Sequence, residues 1–176
     1  VDHGLWTPQW SIHKFREHRG RVYKAAHVEG LPVSYLLDNF ELMGTLHFLG
    51  NCLLNEGINE VWALVAGTGG VKFDNTNARI GVGDSATAAA PTQTGLQAAT
   101  NKLYKAMDAS YPTYGSSQKV THRATFASAE ANFVWNEITV CNTSLDTGKN
   151  LNRKVQAMGT KVSGTSWVAT QDITLS

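Results

Sequence analysis

The fold is decided by residues 119–144, KVTHRATFASAEANFVWNEITVCNTS, and by residues 151–176, LNRKVQAMGTKVSGTSWVATQDITLS. In the second run Trp167, Ala169, Gln171, Ile173 and Leu175 alternate with the mostly polar Val168, Thr170, Asp172 and Thr174. A two-residue period is that of a strand with one face buried. Val120, His122, Ala124 and Phe126 make one face of an earlier strand, and SAEAN at 128–132 reads as a turn. Phe133 and Trp135 share a face, but Ile138 and Val140 are out of phase with them. If both pairs are buried, the strand needs a bulge near Asn136 or Glu137. Asp146, Thr147 and Gly148 mark a turn before the strand-like run at 151–158.

Working backwards, residues 78–82 read as a strand with Ile80 and Val82 on one side, closed by Gly83, Asp84 and Ser85. ATAAAPTQTG at 86–95 has the composition of a linker. The stretch 96–107 fits a helix or a strand, and the turn residues Tyr111, Pro112 and Gly115 favour a strand for its latter half. Leu54, Ile58, Val61, Trp62 and Val65 form one stripe of a helical period, with Asn55 placed to cap the start and Gly67 to end it. A short amphipathic helix over 56–66 follows, weakened by Gly57 and stabilised by docking Trp62 onto the sheet. Residues 67–77 are a loop by composition, and the short apolar runs of 31–49 do not separate strand from buried helix.

The predicted fold is mainly β: an antiparallel β-sandwich, jelly-roll-like, over residues 51–176, with one short amphipathic helix and an N-terminal extended arm over 1–50. Its core is expected to hold Trp62, Phe126, Phe133, Trp135, Trp167, Ile173 and Leu175. In the arm, Lys14, Arg16, Arg19, Arg21 and Lys24 are interleaved with Trp6, Trp10, Phe15 and Tyr23. Cations among aromatics suit nucleic acid. With a net charge of +1 and 16% charged residues, however, no supporting basic surface exists, and nucleic acid is not expected as a partner. The arm reads instead as a docking segment for neighbouring subunits, carried by Trp6, Trp10, Phe15, Arg16, Arg19, Arg21 and Tyr23.

No apolar run reaches the roughly 20 residues of a membrane span, and residues 1–30 lack the apolar region of a signal peptide. Spacing does not pair Cys52 with Cys141, and reduced thiols are expected. The histidines lack metal-ligand spacing. Gly81-Val-Gly83-Asp-Ser-Ala86 lacks the third glycine and the βαβ context of a dinucleotide site. Glu130 and Glu137 could pair as glycosidase-like acids, but glutamates flanking a strand are usually solvated or bonded to a turn. No nucleophile elbow is present, so neither a catalytic constellation nor a cofactor or metal is expected.

Three blocks carry a resemblance: ARIGVGDSATAAAPTQTGLQAATNKLYKAMDASYP at 78–112, VTHRATFASAEANFVWNEITVCNTS at 120–144 and the closing run at 151–176. Preceded by LLNEGINEVWALVAGTG at 53–69, they are similar to a family of tailed-bacteriophage virion structural proteins. The shared features are an IGVGDS strand and turn, a YP connection, a RATF-to-WNE hairpin and an LNRKV-to-ITLS closing pair. The resemblance implies a non-enzymatic virion component, tail- or fibre-associated or capsid-decorating, assembled in the host cytoplasm. Other virion proteins would be its partners, with a homo-oligomer, by analogy a trimer, as its state. A different class, a carbohydrate-binding module on a phage appendage, is suggested by the five Trp and the many Asn and Thr. It needs exposed rings, whereas Trp135 and Trp167 fall on inward faces.

Overall fold

The computed structural model describes residues 6–16 and 33–176. Its strands in chain order are β1 (Trp6–Arg16), β2 (Glu41–Leu49), β3 (Cys52–Leu53), β4 (Arg79–Gly83), β5 (Lys102–Ala106), β6 (Thr113–Ser116), β7 (Lys119–Phe126), β8 (Val134–Cys141), β9 (Asn150–Thr160) and β10 (Thr165–Leu175). Helix α1 (Val33–Asn39) precedes β2, and α2 (Asn55–Val65) follows β3. The first sheet has the order β2-β1-β10-β7-β6 and the second β3-β9-β8-β4-β5, with antiparallel pairing throughout. The predicted mainly-β sandwich is what forms, with two helices in place of one.

The alternation in β10 does what its period demands. Trp167, Ala169, Gln171 and Ile173 are all buried, and Trp167 lies opposite Phe126 of β7 while Ala169 lies opposite Ile12 of β1. Facing them from the second sheet are Ile80, Val82, Trp135, Ile138, Val140 and Met158, in one shared core. At its centre Phe126, Trp135 and Trp167 meet edge to face, with ring centroids 4.7 and 4.8 Å apart, the geometry that aromatic quadrupoles favour. Phe133 packs against this core from a half-buried position. The expected bulge is present: the β8–β9 register shifts between Trp135 and Glu137, which brings both out-of-phase pairs into contact with the core.

Several expectations are corrected. First, residues 6–16 are not an arm. They form β1, an eleven-residue strand lying between β10 and β2. Trp10 is 0% and Phe15 1% exposed, and Trp6 packs against the core. Lys14 also serves the core: its ammonium lies 4.4 Å from the Trp167 ring centroid and donates to the Met158 carbonyl at 2.5 Å. Because β2 pairs with β1, the described part of 1–50 belongs to the sandwich and not to a separate docking segment.

Second, Trp62 is 63% exposed. The cause is Gly57, the buried residue of α2, which sits so close to β9 that a Cβ there would lie 2.4 Å from the Leu151 Cα. That approach turns the face bearing Leu54, Gly57 and Val61 onto the sheet. Each residue advances about 100° around a helix, so Trp62 points to water. Asn55 is the first helical residue rather than the cap; the N-cap is Leu54, without a side-chain capping bond. The C-terminus follows expectation. Gly67 has φ +69°, with Gly67 N–H donating to Leu64 and Thr68 N–H to Ala63, the paired bonds of a Schellman motif.

Third, Leu175 is 55% exposed, because it lies at the strand end opposite Trp6, itself half-buried. The linker-like 86–95 is likewise no linker, since it is bonded onto α2 and the second sheet. The Pro91 carbonyl accepts from Asn55 N–H, Gly95 N–H donates to Glu56, and Arg153 donates to Gln93.

Candidate subunit interface

The buried charges of the sandwich are occupied internally. Glu137, expected to be solvated or bonded to a turn, is 0% exposed; its carboxylate accepts from Arg153 Nε at 2.6 Å, from Gln97 N–H at 3.0 Å and from Ala98 N–H at 2.8 Å. Asp108 pairs with Arg123 at 2.9 Å and accepts from both the N–H and the hydroxyl of Thr125. Each acid pins a connecting segment to a strand, and a carboxylate with three donors is committed to structure. Glu130 is tied to Lys105 at 2.8 Å and to the Ala127 N–H of its own turn. The two glutamates therefore have separate partners.

Two of the surface depressions among the described residues have polar groups in their linings. One, of about 160 Å³, is lined by Gln9, Ser11, His47, Thr170 and Asp172. The Asp172 carboxylate there is engaged by Thr121 at 2.5 Å and Lys119 at 3.5 Å. His13 and His47 meet edge to face at 6.2 Å, and burial, then the charges of His47 and Arg123, hold the His13 pKa below its ordinary value. The second, of about 340 Å³, is lined by Lys102, Tyr104 and residues 144–146. Burial is the main cause that raises the Tyr104 hydroxyl, which donates to Asp146. Among the described residues no group of three or more His, Cys, Asp or Glu is placed to hold a metal. Cys52 and Cys141 are both free thiols, and burial raises the Cys141 pKa.

The rim of the first sheet is different in kind. β2 is its nine-residue edge, and among the described residues no strand pairs with its outer side. The other edges are shorter: four residues in β6, two in β3 and five in β5. Edge strands present unpaired N–H and C=O groups, and proteins usually blunt them with lysine, proline or a bulge. β2 has neither Lys, Arg nor Pro. A bulge is present near its start, since Lys14 pairs with Gly44 and Phe15 with Leu42, leaving Met43 unpaired. From Gly44 to Leu49 the ladder runs without interruption.

Side chains reinforce the edge. Leu42, Met43 and Leu49 are exposed, as are Tyr35 and Leu37 on the preceding helix. Leu36 and Phe40 anchor that helix on Phe15 and Val168. On the inward side of β2, Leu46 and Phe48 pack against the core but stay half-buried, and Phe48 stacks on Trp10 with centroids 6.3 Å apart. Five exposed apolar side chains, Tyr35, Leu37, Leu42, Met43 and Leu49, thus lie about one open backbone ladder, while others, among them Trp62, Val65, Tyr114 and Leu145, are exposed elsewhere; what sets the rim apart is the combination of apolar side chains with an open strand edge.

Of the residues expected to dock subunits, Trp6, Trp10 and Phe15 are used inside the fold, and Arg16 forms an exposed pair with Glu41 at 3.4 Å. Arg19, Arg21 and Tyr23 lie outside the described residues. Sequence reasoning missed β2 because ELMGTLHFL carries a bulge that breaks its period; the signal available was a strand-length apolar run free of lysine and proline. No helix among the described residues is long and apolar enough to cross a membrane. No protein-family model, curated protein or solved structure matches the chain.

Proposed function

We propose that this protein is a non-enzymatic structural component of a tailed-bacteriophage virion that assembles through the rim formed by β2 and α1. The observation that carries the assembly role is the nine-residue β2 edge with its exposed Leu42, Met43 and Leu49. A strand edge recruits a partner through main-chain hydrogen bonds and selects it through alternate side chains. The internal commitment of Glu137 and Asp108 supports a structural rather than a catalytic use of the acids. The virion setting rests on the resemblance of the 53–69, 78–112, 120–144 and 151–176 blocks to phage structural proteins. Trp135 and Trp167, whose inward-reading faces weighed against a carbohydrate platform, are buried.

Quantitative mass spectrometry of density-banded virions tests the reading. A fixed stoichiometric copy number is expected, and tail-stripped particles then place the protein on the tail or the capsid. Absence from intact, infectious particles would remove the virion reading.

A further inference from the structure

We propose that the β2 edge pairs with β2 of a second copy of this chain, antiparallel about a two-fold axis at Leu46, joining two first sheets into one ten-stranded sheet. The inference rests on the assembly reading above for its setting and names one partner that the reading calls for. An occupant of this edge must supply a strand, apolar groups on the inward face and no uncompensated charge. A second β2 meets all three conditions. Its backbone groups are self-complementary under a two-fold rotation, and its titratable residues are Glu41 and His47.

The side chains choose the register. Gly44, Leu46 and Phe48 share the inward face, opposite Lys14, Ile12 and Trp10 of β1. At Gly44 a Cβ would meet nothing within 4 Å, so the face is open there. With Leu46 on the axis, Phe48 of each copy lies opposite Gly44 of the other, and Leu46 lies opposite Leu46. An aromatic ring then covers an edge glycine twice, a pairing that fixes register in sheets. Thr45 faces His47 on the outward side, and Glu41 falls beyond the overlap, already paired with Arg16.

Other registers fail on the same residues. With Thr45 on the axis, Phe48 meets Leu42, which the bulge has turned to the face of Phe15. A shift by one residue sets inward Leu46 against outward His47 and parts the two apolar rows.

Light scattering after size-exclusion chromatography tests the pairing on the wild-type chain and two variants at exposed outward positions. The wild type is expected to be a dimer. Thr45→Lys with His47→Lys sets lysine against lysine across the axis and is expected to weaken dimerisation on the order of 100-fold. Thr45→Glu with His47→Lys sets glutamate against lysine in the Leu46-centred register alone, and is expected to restore the dimer with a steeper salt dependence. Amide hydrogen exchange over 43–49 in the wild type should slow as concentration is raised through the dimerisation range, which reads the interface without any variant. A monomeric or trimeric wild type, a lysine variant that stays dimeric, or a folded charge-paired variant that stays monomeric would each overturn the pairing. A dimer missing from virions removes the phage reading and leaves the pairing standing; a virion protein monomeric in solution does the reverse.

Discussion

The carboxylate of Glu137 and the guanidinium of Arg153 meet at 2.6 Å with both side chains at 0% exposure. Glu137 also accepts the N–H groups of Gln97 and Ala98, and Arg153 donates to Gln93. This one pair therefore fastens the segment after β4 across the outer side of the second sheet. Removing one charge leaves the other buried and unpaired, at a cost of about 3–5 kcal/mol. Arg153→Met and Glu137→Leu should each lower the urea midpoint by that equivalent. The double variant should lose less than their sum, and a double-mutant cycle measures the difference. Additive losses would show that the two groups act independently.

Gly57→Ala reverses the usual helix argument. Alanine is favoured over glycine in a helix by about 1 kcal/mol, but here its methyl would meet Leu151 Cα at 2.4 Å and the Asn150 carbonyl oxygen at 2.5 Å. Backbone atoms cannot step aside cheaply, and overpacking costs about 1–3 kcal/mol. A Tm lower by several degrees is expected in thermal denaturation, whereas an unchanged or higher Tm would mean that α2 does not lean on β9 so closely.

Two tryptophans separate core from surface. Trp135→Ala removes a ring at 0% exposure that touches Phe126 and Trp167, and should cost about 3–5 kcal/mol. Trp62→Ala removes a ring that is 63% exposed and should stay within roughly 0.5 kcal/mol of wild type. Chemical denaturation of both variants checks the contrast, and comparable losses would place Trp62 back in the core.

His122 is 1% exposed on the inward face beside Gln171. Burial lowers its pKa from 6.5 to about 4, against a smaller opposing pull from Asp172. Below pH 6.5 the unfolded chain therefore binds a proton that the folded chain refuses until about pH 4. Stability falls with pH across that interval, by on the order of 3 kcal/mol from this group, and the loss is complete below it. Above pH 6.5 the histidine is neutral in both states and contributes no slope. Denaturation midpoints at pH 7.5 and 4.5 for wild type and His122→Gln test this, the variant being expected to show a flatter dependence. An equal slope in both would assign the acid sensitivity to other groups.

What the sequence determined by itself was whatever a local period encodes. The two-residue alternation from Trp167 to Ile173 specified β10 and its buried face, and the phase break between Trp135 and Ile138 specified the bulge in β8. Gly67 specified the end of α2. These features depend on neighbours a few residues away. The tertiary structure decided what depends on distant partners. The cations and aromatics of 6–16 resemble a free arm until β10 pairs along them and Lys14 settles over Trp167. The helical stripe spans Val61 and Trp62, and the approach of Gly57 to Leu151 chooses between them. Glu137 is buried because its partners come from 16 residues ahead and from a segment 39 and 40 residues behind. The contact surface is legible last, because an edge strand differs from an interior one by what fails to pair with it, and pairing is a property of the assembled sheet.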